Sequence, residues 1–291
     1  MSLEADAGLL ATIARFGVGP DALLGIGGEA CVFALGSERV LRVHHPSTRL
    51  ASVTLRAELL AELEASAAQV SFAIPRVLER TEHEGRLVTL ESRLPGRPLL
   101  AALDGATAAA RERLVLALLR CATEMRRLRP SRAFFGELCD AEGVRASTQR
   151  EYLEQRAARS LALAGDAFCG VNAAELAAAL PEPSQPGFVH LDLYAGNVLV
   201  EGERVSAVVD FGSVPIWGDP RLDLLSAVAY LTPFITKTAT DADRAFALEW
   251  LAGAGLRDLY EPARRWLAAR WSCATDDREL HRWCRSVLLG G

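Results

Sequence analysis

The stretch Val189-His190-Leu191-Asp192-Leu193-Tyr194-Ala195-Gly196-Asn197-Val198-Leu199-Val200, with Val208-Val209-Asp210-Phe211-Gly212 shortly after it, decides the reading of this chain. Two apolar runs on either side of Glu201-Gly202-Glu203 predict a hairpin. It puts Asp192 before a tight loop, Asn197 five residues later at the start of one strand, and Asp210 at the end of the other, so the pairing can bring all three to one end. An Asp or Asn beside a glycine is by itself ordinary turn chemistry. In this order and spacing, the three match what phosphoryl transfer needs: a carboxylate to orient and deprotonate an attacking hydroxyl, and hard oxygen ligands to hold Mg²⁺ against nucleotide phosphates. Asp192 suits the first role, and Asn197 and Asp210 suit the second.

Upstream, Gly25-Ile26-Gly27-Gly28 leads into Val32-Phe33-Ala34-Leu35, a turn at Gly36-Ser37-Glu38, and Val40-Leu41-Arg42-Val43. This reads as a hairpin entered through a glycine-rich loop. Because a strand follows the glycines and not a helix, the loop fits a cover over phosphates better than a dinucleotide-binding turn. A helix is expected from Val53 to Ala67, with Leu55, Leu59, Leu60 and Leu63 at helical spacing. Ile74 to Leu78 and Arg86 to Leu90 read as two further strands around a turn at His83-Glu84-Gly85.

Two prolines and a glycine in Leu94-Pro95-Gly96-Arg97-Pro98 exclude both regular helix and a central strand. The boundary between residues 1–93 and 94–291 is placed there. Beyond it, Thr107 to Leu128 sets Leu114, Leu118, Cys121, Met125 and Leu128 on one face, and helix starts are expected at Asn172 and at Thr240-Asp241-Ala242-Asp243, the latter helix ending near Gly253. The expected fold class is α+β, with a small strand-rich N-lobe and a larger, mainly helical C-lobe.

The chain has 291 residues, 50% of them hydrophobic, ample for a buried core. Its net charge of −5, without a basic run, argues against nucleic acid or an anionic membrane as partner. Met1 to Gly8 carries Glu4 and Asp6 and does not read as a targeting signal, and Ser226 to Ile235 is too short to span a bilayer. Cys31, Cys121, Cys139, Cys169, Cys273 and Cys284 form no CxxC pair and read as free thiols of a reducing cytoplasm. Of the 32 basic residues a single one, Lys237, is lysine. Any chemistry that needs a lysine has one candidate.

The long ordered pattern resembles the aminoglycoside phosphotransferase and choline kinase group within the bilobal protein-kinase-like fold. Leu94-Pro95-Gly96-Arg97-Pro98-Leu99 looks like that group's interlobe segment, and Gly218-Asp219-Pro220-Arg221-Leu222-Asp223-Leu224 like its Gly-Asp-Pro-x-x-Asp-Leu sequence. The resemblance implies ATP, with GTP as the alternative, and Mg²⁺ as cofactors. It implies Asp192 as catalytic base, Asn197 and Asp210 as metal ligands, Gly27 and Gly28 over the phosphates, and the backbone of Glu91 through Arg93 beside adenine. His190 is expected to brace the loop, and Asp219 and Asp223 to bond to the catalytic loop and a helix start. The chain departs from the usual His-Gly-Asp-Leu-His-Pro-Gly-Asn at Leu191, Tyr194 and Ala195. It also places Arg42 where kinases have a phosphate-binding lysine; arginine keeps the charge and adds a planar fork. Glu58 on the following helix is its expected partner, with Glu62 as the substitute.

The short interval from Asp210 to Gly218-Asp219-Pro220 leaves no room for the activation segment of a protein kinase. A kinase for a hydroxyl on a small molecule is the expectation, with an aminoglycoside or other antibiotic, a choline-like amine, a ketosamine or a sugar as acceptor classes. A catalytically inactive nucleotide-binding protein is the alternative. Glu137, Asp140, Glu142, Glu151 and Glu154 are candidates to meet a cationic acceptor, and Trp250, Trp266, Trp271 and Trp283 are candidates for its pocket or for the core.

Overall fold

The computed structural model describes residues 6–290; most of the N-terminal segment read for a targeting signal lies outside them. Helix α1 (Ala7–Arg15) is capped by Asp6, which accepts the Leu9 N–H. An antiparallel five-stranded sheet follows: β1 (Leu23–Ile26), β2 (Ala30–Leu35), β3 (Arg39–His44), then, after helix α2 (Leu50–Glu64), β4 (Val77–His83) and β5 (Arg86–Ser92), in the order β1-β2-β3-β5-β4. Arg42 on β3 stands between Val32 of β2 and Thr89 of β5. Leu9 and Ile13 of α1 pack with Phe33, Leu41, Val43, Val88 and Leu90 into a core of the sheet's own.

Strand β6 (Arg97–Pro98) closes the proline-glycine segment, followed by α3 (Leu99–Leu103), α4 (Ala108–Glu124), β7 (Phe135–Glu137), β8 (Arg145–Ala146), α5 (Gln149–Leu163) and α6 (Ala173–Ala178). Then come β9 (Gly187–Val189), the hairpin β10 (Val198–Glu201) and β11 (Arg204–Val208), β12 (Ile216–Gly218), and helices α7 (Arg221–Ala229), α8 (Asp241–Gly253), α9 (Arg257–Trp271) and α10 (Arg278–Leu289). The hairpin pairs with β6, and β8-β7-β12-β9 form a second small sheet. Asn172 caps α6, and Thr148 and Thr240 form capping boxes at α5 and α8, as residues of these types do at helix starts. Gly96 has φ +103°, and a Cβ there would lie 2.9 Å from the Val200 carbonyl oxygen, so the chain crosses the β10 hairpin only with glycine.

The arrangement is a protein-kinase-like α+β fold, strand-rich toward the N-terminus and helical toward the C-terminus. Helix α2 starts earlier than the Val53 expected from sequence. It buries Val53, Arg56, Leu59, Leu60 and Leu63 on one stripe at three- and four-residue spacing. Leu59, Leu60 and Leu63 join the large core shared with α4, α7 and α9, so α2 rests on the helical part of the molecule as well as beside the sheet. Among the described residues no helix is long and apolar enough to cross a membrane.

Candidate active site

Strand β9 delivers the chain into the loop from His190 to Asn197. Leu191 has φ +65° and Asp210 φ +64°, a backbone region that side chains other than glycine seldom enter. Neighbouring groups hold the first of these turns. Asp223, from the first turn of α7, accepts the His190 N–H at 3.0 Å and the Leu191 N–H at 2.7 Å with its two oxygens, while Tyr230 Oη donates to the Leu191 carbonyl at 3.2 Å. Asp219 accepts the Arg221 N–H and fixes the start of α7.

His190 is fully buried, with Nε2 3.1 Å from the Val209 carbonyl and Nδ1 3.3 Å from the Asp192 N–H. Only a neutral ring with the proton on Nε2 satisfies both contacts. Burial pulls its pKa down to about 4, which agrees. Its edge meets the Phe211 ring at a centroid distance of 4.6 Å. The ring thereby ties the Asp192 loop to the Asp210 strand.

Asn197 Nδ2 donates to the Asp192 carbonyl at 3.0 Å and to Asp192 Oδ2 at 2.9 Å, leaving the Asn197 amide oxygen to face a cation. Burial, with the Asp210 carboxylate adding to it, pushes the Asp192 pKa up to about 7. Burial would raise Asp210 as well, but the charge of Arg42 and its hydrogen bond outweigh that and hold Asp210 below the ordinary carboxylate range. Arg42 Nη2 is 3.1 Å from Asp210 Oδ1 and 3.7 Å from Glu29. Glu29, in the glycine-rich loop, also accepts the Ser213 N–H at 2.7 Å. A Cβ on Gly212 would lie 2.5 Å from the Glu29 carboxylate, so a side chain there would displace that carboxylate from its place beside Ser213.

The Asp210 carboxylate and the Asn197 amide oxygen suit a small hard cation that takes its remaining ligands from phosphates and water. The described residues hold no cluster of three or more His, Cys, Asp or Glu that could form an all-protein metal cage. The donor set therefore fits Mg²⁺ carried with a nucleotide.

A cleft of about 390 Å³ runs from this centre under the sheet, lined by Gly27, Arg42, Glu91, Arg93, Asn197 and Asp210. Gly28 lies on the adjoining cavity, next to Asp192. The expected partner of Arg42 is a correction. Glu58 is exposed, because the buried stripe of α2 passes through Arg56, two positions away and on another face of the helix. Glu62 pairs with Arg132 at 2.8 Å. The inward residue is Arg56, which donates from two nitrogens to Glu91 of β5 at 2.7 and 2.9 Å, and Thr89 Oγ1 adds a bond to the same carboxylate at 2.6 Å. Arg42 is thus left to Asp210 and Glu29. At the end of β5 the Ser92 and Arg93 N–H groups bond to the Arg76 and Glu38 carbonyls, both at 2.9 Å, so the next N–H along the cleft is that of Leu94.

On the other side of Asp192 lies a cavity of about 590 Å³, whose wall includes Tyr194, Tyr230, Phe234, Trp271, Lys237 and Asp277. None of the five acidic residues considered for the acceptor from sequence lines it. Glu137 is buried against Arg156 at 2.6 Å, Glu142 pairs with Arg49, Asp140 accepts the Glu142 N–H, and Glu151 completes the capping box of α5. Of the four tryptophans, only Trp271 borders the cavity; Trp266 and Trp283 are core residues. Sequence reading missed Glu29 and Arg56. Arg56 carried a signal, since a charge on an otherwise apolar helical stripe demands a buried partner.

A family model described as phosphotransferase enzyme family matches residues 23–271. No curated protein matches. Among solved structures, the chain superposes on a thermostable mutant of aminoglycoside phosphotransferase APH(4)-Ia in its apo form with TM-score 0.64 and 19% identity, covering 96% of this chain and 98% of that one. It also superposes on the ternary complex of APH(2")-IIa with streptomycin and ATP, with TM-score 0.62, 15% identity, and 100% and 98% of the two chains covered. A third, APH(3'')-Id from Streptomyces rimosus with ADP and streptomycin, gives TM-score 0.57, 18% identity, and 88% and 96% coverage. At these identities the likeness speaks for the fold alone.

Proposed function

The chain belongs to the phosphotransferase enzyme family, and on that premise we propose that it moves the terminal phosphoryl group of ATP to a hydroxyl of a small molecule, with Asp192 as the group that receives the hydroxyl proton. The observation that carries this is the convergence of Asp192, Asn197, Asp210 and Arg42 at the junction of two cavities, one under the glycine-rich loop and one open to an acceptor. In this reading residues 1–93 form the nucleotide-binding lobe and residues 94–291 supply the catalytic loop and the acceptor wall.

The acceptor hydroxyl bonds to Asp192, whose orientation is fixed by the Asn197 amide. As its oxygen attacks the terminal phosphorus, the O–H proton passes to Asp192, the new P–O bond forms and the bond to the ADP oxygen breaks. Burial raises the Asp192 pKa above that of an ordinary carboxylate, which makes it a stronger acceptor for that proton. The Arg42 guanidinium turns from Asp210 toward the α- and β-phosphates, and Gly27 and Gly28 allow backbone N–H groups to close over them. Asp210 and the Asn197 amide oxygen would hold Mg²⁺, which supplies charge neutralisation for the phosphates. A purine would lie against the end of β5, where Leu94 offers the free backbone donor. Similar solved structures include complexes with ATP, ADP and GDP, so ATP is taken as the donor with GTP as the alternative.

The test is phosphate transfer from ATP with Mg²⁺ across a panel of hydroxylated metabolites and antibiotics. Turnover with at least one acceptor, abolished by Asp192→Asn, is expected. Nucleotide binding without turnover on any acceptor would transfer support to the inactive nucleotide-binding alternative.

A further inference from the structure

The cavity beside Asp192 carries a wall of mixed character, and most of its charge is already engaged. Apart from the transfer centre and the glycine-rich loop, its carboxylates among the described residues are Asp277 and Glu279, and its cation is Lys237. Asp277 Oδ1 accepts the N–H groups of Glu279 and Leu280 at 3.1 and 3.0 Å and caps α10. Both oxygens of Glu279 take hydrogen bonds from Arg282, at 2.9 and 3.0 Å. Lys237 is exposed at the rim and adds a positive charge.

The rest of the wall is largely apolar, with Tyr194, Tyr230, Phe234, Ile235, Trp271 and Leu280, and Ser213 is its polar member. The polar tips of two rings are turned to each other and to the backbone, since Trp271 Nε1 donates to Tyr230 Oη at 2.7 Å and that hydroxyl donates to the Leu191 carbonyl. Those rings therefore offer the acceptor faces and edges but few hydrogen bonds. A ligand with several ammonium groups would lose their hydration here and find no free carboxylate for each of them. A flat or apolar ring gains by covering these side chains.

We propose that this cavity takes a hydroxylated molecule of at most one positive charge that carries an apolar or aromatic face, laid against Trp271 and Phe234 with its hydroxyl at Asp192, and that it disfavours polycationic acceptors. The proposal rests on the phosphotransferase reading of the site and names the acceptor class for it.

Calorimetric titration of the nucleotide-free protein separates the two ideas. The probes are a neutral aryl glycoside, 4-methylumbelliferyl β-D-glucoside, and the polycation kanamycin at the same ionic strength. The glycoside should bind more tightly than kanamycin by about tenfold or more, and Trp271→Ala should remove that preference. Arg282→Ala, on an exposed residue outside the site, frees Glu279 and should strengthen kanamycin binding by a few-fold, on the order of one exposed ion pair, without changing the glycoside. Tighter binding of kanamycin, equal binding, or binding of neither probe overturns the proposal. Mg²⁺-dependent ATP binding, measured separately, reports on the phosphotransferase reading and is indifferent to the acceptor result.

Discussion

Arg56 and Glu91 meet as a two-point ion pair inside the protein, with side-chain exposures of 3% and 5%, and join helix α2 to the last strand of the sheet. The helix here contributes the cation and the strand the carboxylate, the reverse of the arrangement expected from resemblance. The pair lines the cleft under the sheet, and it leaves the strand arginine, Arg42, to Asp210.

A buried pair is costly to break and inexpensive to replace. Arg56→Ala or Glu91→Ala should each lower the stability to urea by about 3–5 kcal/mol, because each leaves one charge buried alone. The combined Arg56→Met, Glu91→Leu variant should be roughly as stable as wild type. Single variants indistinguishable from wild type would show that the pair does not hold the helix.

The same pair sets an acid limit. Burial alone would raise the Glu91 carboxyl, but the Arg56 charge and hydrogen bonds overcome it and hold the pKa down to about 2, against an ordinary 4.5. A carboxyl depressed in the folded state contributes stability that is complete above its unfolded pKa and is lost as pH falls through the folded one. Glu91→Gln should therefore show a shallower decline of unfolding free energy between pH 4.5 and 2 than wild type. An unchanged slope in that window would contradict the pairing.

Asp192→Asn should lower turnover by about 10²–10⁴-fold while ATP still protects the protein from thermal unfolding to the wild-type extent, since the carboxylate serves the acceptor and not the nucleotide. Near-normal turnover would remove Asp192 from the role of base.

Asp210→Ala should abolish the Mg²⁺-dependent part of that thermal protection as well as turnover. Wild-type protein protected equally with and without Mg²⁺ would count against Asp210 as a metal ligand.

Arg42→Ala should impair both ATP affinity and turnover, and Arg42→Lys should fall between it and wild type, because a point charge replaces a fork that reaches Asp210. Glu58→Ala, on an exposed helical position, should alter stability by no more than about 0.5 kcal/mol and leave kinetics unchanged. A Glu58 variant as damaged as the Arg42 variant would restore the helix glutamate as the partner.

By itself the sequence determined the order of parts. Short apolar runs and glycine turns marked the N-terminal strands, the Pro-Gly-Arg-Pro segment marked the crossing, and the spacing of Asp192, Asn197 and Asp210 placed a phosphoryl-transfer pattern on one hairpin, because such features are local and short-range sterics enforce them. What only the tertiary structure decided were the partnerships between distant segments. Which side of α2 faces the sheet depends on how the helix docks, so Arg56 and not Glu58 turned inward to meet Glu91, 35 residues away in the chain. The acidic residues that the sequence offered for the acceptor, among them Glu137 and Glu151, went to an arginine and a helix cap elsewhere, while α9 and α10, far along the chain, brought Trp271, Asp277 and Glu279 to the cavity beside Asp192. Long-range packing sets such pairings by selecting among many charges that look equivalent along the chain, and a buried charge keeps only the partner that geometry brings within hydrogen-bond reach.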